Sequence, residues 1–231
     1  MSKVVIVTGG SRGIGAATAK LLGAKGYAVC VNYLANRELA DDVADCIIRA
    51  GGRAFACQAD VSSEADVIRL FDAAEERFGK VTHLVNNAGI LFTQSKLVDI
   101  DLERFNQVLN SNVVSCFLCS REAVRRFPAG SAIVNVSSLA SQTGSPFEYV
   151  DYAASKGAMD TLTKGLSREV AGSGIRVNAV RPGFIYTDMH ADGGEPGRVD
   201  RLAPQIPMQR GGSAEEVANT IAWLLSDEAS Y

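Results

Sequence analysis

The chain has no apolar run of the ~18 residues that a membrane-crossing helix needs, so a transmembrane protein is not expected. Charge of one sign is also missing. Its 23 Lys and Arg stand against 26 Asp and Glu, a formal net charge of −3, and nothing marks a polyanion such as nucleic acid as partner. There is no repeat, low-complexity tract or linker, which argues against several domains. The five cysteines (Cys30, Cys46, Cys57, Cys116, Cys119) are odd in number and scattered through apolar contexts, with no disulfide-framework spacing. Reduced, buried thiols in the cytoplasm are the simplest account. Cys116 and Cys119 form a C-x2-C inside a helical pattern, with no second pair and no histidine nearby, and no metal site is expected. Met1-Ser2-Lys3 leads straight into a strand-like run, which leaves no room for a signal peptide.

What is present alternates. Apolar strand-like runs occur at Val4–Val7, Ala28–Tyr33, Ala54–Cys57, His83–Asn86, Ala132–Val136 and Ile175–Val180. Amphipathic stretches separate or follow them at Ile14–Ala24, Arg37–Ala50, Glu64–Phe78, Leu102–Phe127, Tyr152–Ala171 and Ala214–Leu225. Strands apolar almost throughout and spaced by helices predict an α/β fold, a doubly wound parallel sheet with helices on both faces. The 231 residues suit a single domain of this Rossmann type. Thr187 to Pro207, rich in Gly, Asp and Pro, is the one irregular stretch, and its length predicts a lid or binding loop.

The first strand is followed at once by T-G-G-S-R-G-I-G, residues 8–15. Glycines let a backbone turn tightly beside a pyrophosphate, and the helix beginning there offers unpaired N–H groups and a positive dipole end. Ala16-Ala17 stand where a phosphate-transfer loop needs lysine and hydroxyl, so phosphoryl transfer is not expected. Tyr152 and Lys156 lie one helical turn apart on one face. A phenol beside an ammonium can move a proton to or from an alcohol oxygen. Asn86-Asn87-Ala88-Gly89 and Ser137-Ser138 follow the ends of the fourth and fifth strands, where such sheets bind ligands. Asn112 sits mid-helix, a poor helix former in a place that suggests a polar task. Tyr149 has no lysine four residues on, and strand alternation should turn Ser137 away from the face of Ser138.

Taken together, T-G-x3-G-x-G at 8–15, Asp60-Val61, N-N-A-G at 86–89, Asn112, Ser138, Tyr152-x3-Lys156 and Arg181-Pro182-Gly183 resemble the short-chain dehydrogenase/reductase family along nearly the whole chain. Within it, the likeness runs to 3-oxoacyl-(acyl carrier protein) reductase-like and glucose 1-dehydrogenase-like members. The resemblance implies an NADP(H)-dependent oxidoreductase that interconverts a carbonyl and a secondary alcohol, a small-molecule substrate. Tyr152 would be the acid/base, and Lys156 would lower its pKa while holding the nicotinamide ribose. Ser138 would hold the substrate oxygen, and Asn112 would anchor a water of the proton relay. Implied cofactor contacts are Gly9, Ser11, Arg12, Gly13, Ile14 and Gly15 in the turn, with Asn32 and Tyr33 after the second strand. Asp60, Val61, Asn87, Ala88 and Gly89 follow, joined by Tyr152, Lys156, Pro182, Gly183, Ile185 and Thr187. Relatives continue past the position of Tyr231 with a T-G-x4-V-D-G-G segment forming a seventh strand, which this sequence lacks, and the connection at 127–130 is short.

The end of the second strand carries no carboxylate of the kind that binds a ribose 2′-OH. Arg12 and Arg37 stand near instead, and planar guanidinium donors suit a 2′-phosphate; Arg37 equally reads as a residue opening the next helix. A dimer or tetramer is expected through Leu102–Phe127 and Tyr152–Ala171, whose Val113, Val114, Phe117, Leu118, Met159, Leu162 and Leu166 exceed what one packed face needs. The alternative reading is a catalytically silent NADP(H)-binding regulator, which would need no proton relay. His190 in the lid reads either as a substrate contact or as a solvated side chain.

Overall fold

A computed structural model describes residues 3–231. Six strands form one sheet: β1 (Val4–Val7), β2 (Ala28–Tyr33), β3 (Arg53–Gln58), β4 (His83–Asn86), β5 (Ala132–Val136) and β6 (Arg176–Val180). All pairs are parallel, in the order β3-β2-β1-β4-β5-β6. The chain winds outward from β1 to β3, then returns to start β4 on the other side of β1. The reversal opens a crevice at the strands' carboxyl ends between β1 and β4.

Parallel strands need crossovers, and these are helical. They are α1 (Gly13–Ala24), α2 (Arg37–Arg49), α3 (Glu64–Phe78), α4 (Leu102–Leu109), α5 (Ser115–Arg126), α6 (Ala140–Thr143) and α7 (Val150–Val170). After β6 come α8 (Met189–Asp192), α9 (Arg198–Leu202) and α10 (Ala214–Leu225). Strand alternation divides the core in two. Val5, Val7, Val29 and Val31 face α1, α2 and α10, whereas Val4, Ile6, Ala28 and Cys30 face α3 and α5. Phe71, Leu22, Leu70, Ile133 and Ile221 are fully buried, each worth about 1.5–3 kcal/mol of apolar burial.

Two segments differ from the sequence reading. Leu102–Phe127 is not one helix: a π-helical turn at Asn110–Val114 separates α4 from α5, and Phe127 is extended because Pro128 follows it. The stretch 187–207 holds α8, α9 and a 3₁₀ turn at Ala203–Gln205 rather than a bare loop. Leu118 and Met159, expected at a subunit contact, are buried within the chain, while Val114 and Phe117 remain exposed. No helix of the described residues is long and apolar enough to cross a membrane.

Candidate active site

The glycine turn begins where β1 ends. Thr8 Oγ donates to Val85 O and accepts from the N–H groups of Asn87 and Ala88, both at 3.0 Å. Asn87 Nδ2 donates to Thr8 O and Gly9 O, again at 3.0 Å. The ends of β1 and β4 are thereby stapled together. Gly9 and Gly13 take φ of +60° and +52°, which L side chains seldom adopt. A Cβ on Gly15 would lie 2.3 Å from Gly9 O, so α1 packs directly on the turn. The start of α1 has no side-chain cap and no acidic residue in its first turn. Its N–H groups and dipole are left for an anion, and the cradle fits a cofactor pyrophosphate.

A first cavity of about 390 Å³ runs from this turn across the end of β2. Gly9, Ser11, Arg12, Gly13, Ile14, Asn32, Asp60, Val61, Asn87, Ala88, Gly89 and Thr187, all named in the sequence reading, line it. Gly15 and Tyr33 are not among its lining residues; the first acts by close packing, and the second is buried. Asn32 has a structural task in addition. Its Oδ1 accepts from Gly9 N at 3.3 Å, and its Nδ2 donates to Cys57 O and Ala59 O. Arg37 points away to Asp41 at 3.2 Å and lines nothing here. Leu34, Ala35, Asn36 and Ser62 do line the cavity; only their place after strand ends could have signalled them.

A second cavity of about 330 Å³ adjoins the first, with Ile14, Asn87, Thr187 and Met189 shared between them. Ser138, Tyr152, Lys156, Pro182, Gly183 and Ile185 line it, among the apolar walls of Leu91, Leu139 and Phe184. Tyr152 and Lys156 share the buried face of α7, with Nζ 5.4 Å from the phenol ring centre. Lys156 Nζ donates to Val136 O at 2.8 Å, the last carbonyl of β5. The Ser138 and Tyr152 hydroxyls both belong to this cavity and interact with one another. Ser137, just past the end of β5, also lines this cavity, against the expectation from alternation, and donates to Lys156 O at 3.2 Å. Tyr149 is spent on the lid, its hydroxyl donating to Gly193 O. His190 is half-buried beside this cavity rather than solvated, with Nε2 3.0 Å from Ile185 O.

Burial sets the electrostatics of this pair. Burial pushes the Tyr152 phenol up to about 12, the Ser138 hydrogen bond pulling weakly against it. Burial draws the Lys156 ammonium down to about 8, with Cys116 and Asp160 opposing. Both charged forms lose water on burial, which raises the phenol and lowers the ammonium.

Asn112 lies in the π turn and is fully buried. Its Oδ1 accepts from Ile90 N at 2.7 Å, and its Nδ2 donates to Ile90 O and to Ser155 Oγ. Ser155 Oγ donates in turn to Tyr152 O. Asn112 therefore braces the 88–90 segment against α7 and lines neither cavity. A chain of buried polar groups, unforeseen in the sequence, crosses the sheet beneath: Asn86 Nδ2 donates to Ser120 Oγ and Asn135 Oδ1, and Asn135 Nδ2 to Thr163 Oγ. Fully satisfied networks of this kind fix the packing of α5, β4, β5 and α7.

A family model described as Enoyl-(Acyl carrier protein) reductase matches residues 9–231. A solved short-chain dehydrogenase from Burkholderia cenocepacia J2315, in complex with NADP, superposes with a TM-score of 0.91 and is 38% identical, covering 99% of this chain and 92% of that one. The chain belongs to the short-chain dehydrogenase/reductase family. Among relatives, an uncharacterized oxidoreductase of Escherichia coli strain K12 is 61% identical over 233 residues, 99% of this chain and 94% of its own length. Glucose 1-dehydrogenase 2 of Bacillus subtilis strain 168 is 37% identical, over 99% of this chain and 90% of its own length. As a short-chain dehydrogenase/reductase, the protein is an oxidoreductase with a Rossmann-type fold.

Proposed function

We propose that the protein is an NADP(H)-linked oxidoreductase interconverting a carbonyl and a secondary alcohol, with Tyr152 as the acid/base. The observation that carries this reading is the convergence of Ser138, Tyr152 and Lys156 on one cavity that opens onto the glycine-turn cavity. Gly9, Ser11, Gly13, Asn87, Ala88 and Gly89 would hold the cofactor's phosphates and ribose along the crevice, with Pro182, Gly183, Ile185 and Thr187 beside its nicotinamide end. A nicotinamide bound there supplies or accepts the hydride.

The chain's own residues do the rest. Ser138 and Tyr152 hydroxyls hold the carbonyl oxygen, and the phenol proton moves to that oxygen as charge develops on it. Lys156, buried and bonded to Val136 O, stabilises the phenolate left behind. Asn112 holds the backbone carbonyl of Ile90 and, through Ser155, the first turn of α7, fixing Tyr152 in place. The silent-regulator alternative leaves this brace and the Tyr–Lys pair without a task.

Arg12, which lines the first cavity, and the absence of an acid after β2 support NADP(H) over NAD(H). Arg12→Ala is expected to weaken NADPH binding by about 1–3 kcal/mol, a charge-assisted hydrogen bond lost, and to leave NADH binding nearly unchanged. Titration of both cofactors tests this; tighter NADH than NADPH binding by the parent protein contradicts it. Exposed Val114 and Phe117 support association into a dimer or tetramer. Cys30, Cys116 and Cys119, buried as free thiols, fit a reducing cytoplasm.

A further inference from the structure

Arg12 is the only Lys or Arg among the residues lining the cofactor cavity, and it already has a partner. Its guanidinium is ion-paired with Asp192, the last residue of α8 in the lid. The two side chains are 52% and 46% exposed, so the pair is weak and separable. Arg37 is turned to Asp41 and does not line this cavity. Met189, at the other end of α8, lines both cavities, so the setting of this helix bears on each.

The rest of the lid is held by different and more buried contacts. Arg198 pairs with Glu148, and its guanidinium stands 5.1 Å from the Tyr149 ring centre and 5.2 Å from that of Phe184. Gln94 Nε2 donates to Glu195 at 2.6 Å. Loss of the Arg12 contact would remove one tether of 189–194, leaving His190 Nε2 on Ile185 O and the Tyr149 hydroxyl on Gly193 O, while α9 stays docked.

We propose that Asp192 tunes cofactor specificity by competing with the cofactor's 2′-phosphate for Arg12, and that this exchange loosens α8. The proposal rests on Arg12 as the phosphate ligand. A phosphate that takes Arg12 displaces a carboxylate, and like charge holds the two apart. NAD(H), lacking the phosphate, leaves the pair and the lid as they are. Asp192 thus narrows the preference that Arg12 creates, and only one of the two cofactors loosens the lid.

The test compares parent, Asp192→Asn and Arg12→Ala by calorimetric titration with NADP+ and NAD+, together with amide hydrogen exchange over 189–194. Asp192→Asn is expected to tighten NADP+ binding about two- to five-fold, the worth of an exposed ion pair, and to leave NAD+ binding unchanged. In the parent, exchange over 189–194 is expected to be faster with saturating NADP+ than with NAD+; in Asp192→Asn the two should coincide. An Asp192→Asn variant that binds both cofactors as the parent does, or binds NADP+ more weakly, overturns the proposal. So does equal exchange in the parent with either cofactor. Arg12→Ala separates the two readings. Selective loss of NADP+ binding there, with Asp192→Asn inert, removes only the competition. Undiminished NADP+ binding in Arg12→Ala removes the phosphate assignment itself.

Discussion

Gly15→Ala puts a methyl group where the turn and the first helix touch. In an unobstructed helix, alanine is better than glycine by about 1 kcal/mol, so propensity alone favours the change. The contacts oppose it. The new Cβ would stand 2.3 Å from Gly9 O, 2.5 Å from Asn87 Nδ2 and 3.1 Å from Gly10 Cα. Neither near neighbour is a loose end: Gly9 is backbone at positive φ, and Asn87 is fixed by two hydrogen bonds to Thr8 O and Gly9 O. Overpacking a rigid site costs about 1–3 kcal/mol, and displacing Asn87 breaks two bonds worth about 1 kcal/mol each. Set against the propensity gain, the net loss is about 2–4 kcal/mol, a fall in Tm on the order of 5–15 °C for a chain of this size. Urea unfolding of parent and variant measures the loss, and NADPH titration should show binding weakened in step, since the same turn would hold the pyrophosphate. A variant as stable as the parent that binds NADPH undiminished would refute the close-packed turn.

Other perturbations read other parts of the structure. Burial holds His83 down to about 4 from its ordinary 6.5. Between those values the unfolded chain binds a proton that the native state does not, so stability is full above 6.5 and falls as pH drops toward 4, by up to about 3 kcal/mol. His83→Gln should flatten that acid slope in denaturant melts; an unchanged slope would contradict the burial. Lys156→Ala should slow turnover and weaken NADPH binding together, and the Tyr152→Phe/Lys156→Ala double variant should be little slower than the worse single one, because the pair acts as a unit. Multiplying losses in steady-state rates would argue for independent roles. Phe117→Glu should shift light scattering from a dimer or tetramer toward monomer, and a parent already monomeric at micromolar concentration would rule out the association.

The strands were legible wherever parallel pairing buries both faces. Val4–Val7, Ala28–Tyr33, His83–Asn86 and Ala132–Val136 are bounded in the structure as their apolar runs suggest. Ser138, Tyr152 and Lys156 were legible for a related reason: one-turn spacing and a strand's carboxyl end are local features that the fold carries unchanged into the site. The π turn at Asn110–Val114 was not, because a single inserted residue hardly disturbs an apolar pattern whose inner face stays buried. Arg37 had the composition of a cofactor ligand yet is drawn to Asp41, while Asn32 lines the first cavity and also ties Gly9 to Cys57 and Ala59, a task that no local pattern records. The pairing of Arg12 with Asp192 joins residues 180 positions apart, which no local pattern records. The raised Tyr152 pKa likewise depends on burial, a property of the assembled site.

Proton transfer by Tyr152 is tested most directly by following NADPH oxidation in parent and Tyr152→Phe, with a carbonyl compound drawn from a panel of sugars, ketones and 3-oxoacyl thioesters. The substitution removes one oxygen at the wall of the cavity, so folding and NADPH binding should persist. Turnover should fall about 10²–10⁴-fold, the usual worth of a positioned general acid. Near-parental turnover by Tyr152→Phe, with the same substrate and the same bound NADPH, would contradict the account.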